Sequence, residues 1–304
     1  NALDNLTTGD QNVAIGYAAG GLLQDGSNNV VIGFGAGDAL TSGGNNVAIG
    51  SLALTTEDGH GHNIAIGANA LSALNAGTDA YNIAIGFSAG GSLSTGLANT
   101  IIGGLAGDTL TEGSNNIAIG HAALSSADTD ARNVAIGVRA LEDQNAGNNT
   151  YSTAIGYEAG KQVTTGVQNT IVGAAAGDAL TTSSENTALG YTALGSATTS
   201  ARNTAIGTAA LGLGVMNTGG NTYNTAVGFH AGLNVSTGVE NVLIGAQAGD
   251  ALTTGSRNVV IGTYALSNEN EHGNNIAIGW KALQDQDAGA DAYNVAIGYE
   301  AGKE

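Results

Sequence analysis

Polar anchors and short apolar runs alternate along this chain with a fixed beat. Asn12-Val13-Ala14-Ile15-Gly16 returns as Asn29-Val30-Val31-Ile32-Gly33 and again as Asn46-Val47-Ala48-Ile49-Gly50. The closing glycine recurs seventeen times, from Gly16 to Gly298. Its spacing runs 17, 17, 17 and 19 residues and then repeats, with a single 21 between Gly207 and Gly228. Four coils therefore make a 70-residue unit, present about four times. The residue four before the glycine is Asn in sixteen coils, Ser152 being the exception, and the residue three after it is Ala in all seventeen, from Ala19 to Ala301. A residue type that returns at one phase of every coil answers the same local environment each time.

Those environments predict a parallel β-solenoid. Val13 and Ile15 are β-branched and favour a short strand, and the glycine permits a bend that other residues resist. Stacked coils place equivalent residues about 4.8 Å apart, so the asparagine column (Asn12, Asn29 and onward) is expected to hydrogen-bond along the stack as amide ladders do. Ala19, Ala36 and their equivalents mark a corner with room for one methyl. Within the strand, Val13 and Ile15 point one way and Ala14 the other. Both faces are apolar, so both are expected to be buried. The valine and isoleucine face is assigned to the coil interior. The alanine face, enlarged at Val31, Ile101, Ile171 and Leu243, is left for a second copy of the chain to cover.

The four coils differ in a regular way. After Gly16 and Gly33 an apolar plug falls at Leu23 and Leu40, whereas after Gly50 and Gly67 it falls earlier, at Leu54 and Leu71. The second coil of each unit carries Asp38, Asp108, Asp178 or Asp250. The fourth carries a longer loop ending in Tyr81, Tyr151, Tyr223 or Tyr293, and the first an aromatic just past its glycine, such as Tyr17, Phe87, Tyr157, Phe229 and Tyr299. No linker, charge run or helical period interrupts the pattern. The expected fold is all-β: one continuous solenoid over residues 1–304, of about seventeen coils and roughly 80 Å long at strand spacing.

Composition narrows the function. The chain has 50 glycines in 304 residues, no proline, no cysteine and only 11% charged residues, against roughly 25% in an average domain. Net charge is −18 with seven basic residues, which leaves no basic stripe to displace counterions from nucleic acid. No apolar run approaches the length of about 20 residues that spans a bilayer. The absence of cysteine excludes a disulfide framework.

Candidate chemistry is sparse. The Asp38 column invites a calcium reading, but Ca²⁺ wants 6–8 oxygens at one point, while successive aspartates lie four coils, roughly 19 Å, apart. The phases beside them in the next coil are Thr55, Ser125, Gly195 and Ser267. Capping of a turn is the favoured role, and no cofactor is expected. His60 and His62 flank Gly61 in an acidic loop that reads as solvated rather than as a metal site. Thr100, Thr153, Thr170, Thr187, Thr204 and Thr225 share a phase that suggests ice binding, but Val or Ile fills it elsewhere, which argues for a packed position. The longest loop, Leu211 to Tyr223, offers no acid, base or nucleophile, and no catalysis is expected. Tyr17 and its equivalents read as corner packing. Tyr81, Tyr151, Tyr223 and Tyr293 are the candidate surface contacts.

The recurring Asn-x-Ala-Ile-Gly-x-x-Ala resembles the head repeats of YadA-like trimeric autotransporter adhesins. Asn203-Thr204-Ala205-Ile206-Gly207 and Asn224-Thr225-Ala226-Val227-Gly228 are similar to repeats of phage tail fibres and bacterial surface fibres. The resemblance covers nearly the whole chain. It implies a left-handed, trimeric, rod-like extracellular module that serves as an adhesin, a tail fibre or a filament shaft. The expected partner is the chain itself, as a homotrimer or an end-to-end filament, because the array opens and closes in mid-pattern. The alternative is a receptor- or glycan-binding module that uses the aromatic columns on a cell or virion surface.

Overall fold

A computed structural model describes residues 1–286 and 291–303. Its strands have three residues each, and no helix accompanies them among the described residues. They divide between two compact units, Asn1–Tyr151 and Ser152–Glu304. The first holds β1 (Val13–Ile15), β2 (Val30–Ile32), β3 (Val47–Ile49), β4 (Ile64–Ile66), β5 (Ile83–Ile85), β6 (Thr100–Ile102), β7 (Ile117–Ile119) and β8 (Val134–Ile136). The second holds β9 (Thr153–Ile155), β10 (Thr170–Val172), β11 (Thr187–Leu189), β12 (Thr204–Ile206), β13 (Thr225–Val227), β14 (Val242–Ile244), β15 (Val259–Ile261), β16 (Ile276–Ile278) and β17 (Val295–Ile297). In each unit successive strands pair in parallel with equivalent residues aligned, as Ala48 with Ala65 and Ala188 with Ala205. Each coil thus returns the chain to the same phase one strand further along, which is a parallel β-solenoid.

Backbone geometry on either side keeps the strands short. The residue five before every closing glycine is left-handed although never glycine, as at Asn28 (φ 62°), Tyr81 (φ 54°) and Arg202 (φ 62°). Such conformations disfavour L-residues by roughly 1–2 kcal/mol each, so the hydrogen-bonded stack, not local preference, imposes them. At the other end Gly33 has φ 137°, and a Cβ there would lie 2.4 Å from the carbonyl oxygen of Gly50 in the next coil. That contact leaves room for no other residue.

The asparagine column forms as expected and does more than link side chains. Oδ1 of each asparagine accepts the backbone N–H of the next, as from Asn46 to Asn29 at 2.9 Å and from Asn203 to Asn186 at 2.9 Å. In most coils Nδ2 donates to a turn carbonyl 14 residues on, as Asn99 to Gly113 at 2.9 Å and Asn241 to Gly255 at 2.8 Å, whereas Asn63 Nδ2 donates to the Gly61 carbonyl at 3.2 Å. One buried amide therefore satisfies two backbone groups that the bend would otherwise strand.

The two strand faces are the reverse of the sequence expectation. The central residue is the interior one: Ala48, Ala65, Ala84, Ala188 and Ala205 have no exposed surface, nor do Val31, Ile101, Ile171 and Leu243. The flanking valines, isoleucines and threonines point outward. The cause is the narrow bore of the coil. The plugs Leu23, Leu40, Leu54 and Leu71 reach the interior from the turns, as expected, and are fully buried. Together with the corner alanines Ala19, Ala36 and their equivalents they leave only a methyl's room opposite most strands. The second coil admits a larger residue because its own turn and that of the preceding coil both have glycine, Gly37 and Gly20, where the third and fourth coils have leucine; a Cβ on Gly37 would lie 2.6 Å from Cγ1 of Val31, and one on Gly20 3.4 Å from its Cγ2.

Candidate functional site

The outward face of the strands is the most extensive candidate surface. Two columns run along it, one from the first and one from the third residue of each strand. In β1–β8 they hold only Val and Ile apart from Thr100; in β9–β13 the first column is threonine throughout. Neither column contains a charged residue. The side chains are part covered by their neighbours and part open, with Ile117 38% and Leu189 45% exposed. Aromatic rings border them at intervals, on the residue after the glycine. Tyr17 and Phe34 stack with centroids 5.5 Å apart, and Trp280 and Tyr299 at 4.8 Å. Tyr17 is 69% exposed and Tyr157 57%, so these rings line a surface instead of packing a corner as the sequence suggested.

Tyr81, Tyr151, Tyr223 and Tyr293 all lie on the surface, on the left-handed residue that precedes the buried asparagine column. Three have a partner on the third coil. Tyr81 stacks on His62 with centroids 4.9 Å apart, Arg132 lies 5.6 Å over the Tyr151 ring, and Arg202 lies 5.8 Å over Tyr223. Arg202 also grips Glu185 through Nε (2.9 Å) and Nη2 (3.1 Å) and donates to the Tyr223 hydroxyl at 3.0 Å. The guanidinium holds the Glu185 carboxyl below its usual range. The coil imposes the backbone here, and the ring is the part free to carry function.

Asp38, Asp108, Asp178 and Asp250 are half-buried at their turns. Burial pushes the carboxyls of Asp108 and Asp178 up, and hydrogen bonds from each residue's own and following backbone N–H partly offset that. Burial also raises Asp250, against a 3.2 Å hydrogen bond from Gln247 Nε2. The bonds to backbone N–H are those of a capped turn, the favoured sequence reading.

Sequence reasoning missed a set of buried carboxylates where the third coil meets the longer fourth. Glu57 has no exposed side-chain surface, although Asp58 and His62 of the same loop are exposed. One of its oxygens accepts the backbone N–H of His60 at 3.2 Å and faces His60 Nδ1 at 3.3 Å, and the other accepts the Ala76 N–H at 3.5 Å. Burial raises the Glu57 carboxyl. Glu269 repeats the arrangement, with the His272 N–H at 3.1 Å and Nδ1 at 2.9 Å. Two four-coil repeats lie between. In the second, Ala127 replaces the glutamate and Asp130 the histidine, and Asp130 accepts the Ala146 N–H at 2.9 Å, the equivalent of the Ala76 amide; in the third, Ala197 and Ser200 hold these positions and Ser200 Oγ lies 3.0 Å from Thr218 Oγ1. A carboxylate thus fastens the same turn from either of two positions. The only sequence signal was the exchange itself, Glu and His for Ala and Asp.

Among the described residues, Glu57, Asp58 and His60 bring potential metal ligands within 4.8 Å of one another. Glu57 is already committed to the turn. His62 faces Asp79 at 3.4 Å, so the two histidines do not converge. In the longest loop Met216 is buried, while Leu213 and Val215 are 61% and 54% exposed. No helix among the described residues is long and apolar enough to cross a membrane.

Fold and surface together define a parallel β-solenoid that presents repeated columns of side chains. No known protein family, characterised protein or solved structure matches the chain.

Proposed function

We propose that the chain is a structural segment of an extracellular fibre, assembled by self-association of solenoid chains in threes. One observation carries the reading: the Val and Ile columns of β1–β8 face outward, uncharged and unpaired. A contiguous apolar strip on a repeat protein marks an association surface, and a repeated strip fits a repeated partner, which another copy of the chain supplies. The narrow alanine interior supports the same reading, because a coil filled by methyls and single leucines gains by burying more surface against a neighbour. The acidic surface favours neither nucleic acid nor an anionic membrane as the partner. Light scattering with electron microscopy tests it. Three chains per short rod is the expected result, Val47→Lys with Ile66→Lys should lower the mass, and a monomer at high concentration overturns the reading.

A second reading, a glycan- or receptor-binding module, draws on the exposed Tyr81, Tyr151, Tyr223 and Tyr293 rings. Replacing all four with alanine should abolish cell or glycan binding while leaving the rod intact; unchanged binding overturns it.

A further inference from the structure

Six threonines share the outward phase of the strand: Thr100, and Thr153, Thr170, Thr187, Thr204 and Thr225 in five consecutive coils. The sequence argument against an ice-binding role was that this phase is packed. The structure removes that argument, since the phase points outward and the central residue of each strand fills the interior. From these free hydroxyls we infer that β9–β13 form a surface that binds the water lattice of ice, an inference independent of self-association.

The hydroxyls provide the first support. None of these threonines has a hydrogen bond or other polar interaction with the described chain beyond its backbone ladder. Several threonines of the turns behave differently. At other phases the hydroxyl bonds along the stack, as Thr181 to the Thr198 carbonyl at 3.0 Å and Thr253 to that of Asn270 at 2.9 Å. Exposed turn threonines such as Thr165, Thr182 and Thr237 also leave their hydroxyls unbonded, but the outward column holds its hydroxyls on paired strands in aligned register.

Geometry provides the second. Thr153, Thr170, Thr187, Thr204 and Thr225 are paired in strict parallel alignment, so their hydroxyls repeat about every 4.8 Å. Two residues along each strand stand Ile155, Val172, Leu189, Ile206 and Val227, roughly 6.6 Å away. The column repeat lies near that of water oxygens on the surfaces of hexagonal ice. β-branched side chains are stiff at χ1, and the buried alanine beneath each strand and the asparagine ladder beside it hold the backbone. The array can therefore impose its repeat on adsorbed water with little loss of side-chain entropy. Each threonine offers a hydroxyl to anchor a water and a methyl to hold the surrounding waters in a cage. The two columns contain no charged side chain that would disrupt that layer.

The test uses the full chain, fluorescently labelled, in a slowly growing ice hemisphere, with inhibition of ice recrystallisation measured in parallel. The wild type should be incorporated and should keep crystals small. Thr187→Lys with Thr204→Lys should be excluded, with an unchanged circular-dichroism melt and an unchanged light-scattering mass. Val47→Lys, on the apolar columns of the first unit, should still be incorporated. If the lysine variant fails to fold, Thr187→Val with Thr204→Val keeps the shape and removes the hydroxyls, and it should show reduced incorporation. Exclusion of the folded wild type overturns the inference, as does equal incorporation of folded wild type and either threonine variant. If the wild type is excluded and the valine variant raises the mass, the column is covered by another copy of the chain and the inference fails. Loss of self-association alone, with ice binding retained, would overturn the fibre reading and leave this one standing.

Discussion

The strands β3–β5 in the first unit and β9–β13 in the second are alike inside and differ outside. Ala48, Ala65 and Ala84 are as fully buried as Ala154, Ala188, Ala205 and Ala226, and both stretches use the same asparagine-to-amide bonds. Outward, Val47, Ile64 and Ile83 give way to an unbroken threonine column. Specification of the fold and surface chemistry are thus carried by different residues of the same three-residue strand. The interior position is alanine in most coils because the bore is narrow, and it holds a larger residue such as Ile171 beside a turn glycine, Gly177. The outer columns vary because the backbone does not depend on them.

The largest expected effect ignores the difference between the units. Ala84→Lys and Ala188→Lys each place a charge in a bore sized for a methyl, with no partner to neutralise it. Each should cost at least roughly 3–5 kcal/mol, read as loss of the cooperative urea transition. If one were tolerated and the other not, the two interiors would not be equivalent.

That equivalence was legible in the sequence; its direction was not. The recurrence of Asn, Gly and Ala fixed the coil length and strand phase, and the plugs Leu23, Leu40, Leu54 and Leu71 fell where expected. The alternation Val-Ala-Ile shows two faces but does not say which is inside. The usual rule puts the larger residues in the core, and it fails here because the turn leucines already occupy that volume. Left-handed backbone at Asn28, Tyr81 and Arg202 was equally hidden, since their side chains have no common preference for it. The buried carboxylates of Glu57 and Asp130 escaped notice because they reach one amide from two different positions.

A smaller effect separates the columns at one coil. Asn99→Ala and Asn186→Ala each leave the following backbone N–H buried without its acceptor, a loss of about 2 kcal/mol in urea-derived stability. Ser152 already shows a weakened step: the Asn169 N–H reaches its Oγ at 3.4 Å, against 2.9–3.2 Å between asparagines of the ladder. Ser152→Asn should therefore stabilise the second unit by about 1 kcal/mol. No gain would mean that the serine makes up the deficit another way.

Outward substitutions should divide by function, not by stability. Val47→Lys and Thr187→Lys should each change unfolding free energy by no more than about 0.5 kcal/mol, because neither enters the interior. The first should weaken association and the second should not. Equal effects on solution mass would merge the two surfaces into one.

The smallest effect is a slope with pH. Burial raises the Asp130 carboxyl above its ordinary value of 3.8, against hydrogen bonds from the Ala146 and Gly147 amides, and its second oxygen has no partner among the described residues. A carboxyl whose folded value is raised contributes stability that is present below its unfolded value and lost as pH rises through the folded one. Stability should therefore increase when the pH is lowered from neutrality towards about 4. Asp130→Asn keeps an acceptor for the Ala146 amide and abolishes the titration, so it should flatten that slope. Asp178 is raised in the same direction but is only half-buried at its turn, so Asp178→Asn should flatten it less. Urea midpoints measured across the acid range for the two variants decide the matter. A larger change from Asp178 would place the titrating strain at the capped turns of the second coils, not where the third coil meets the fourth.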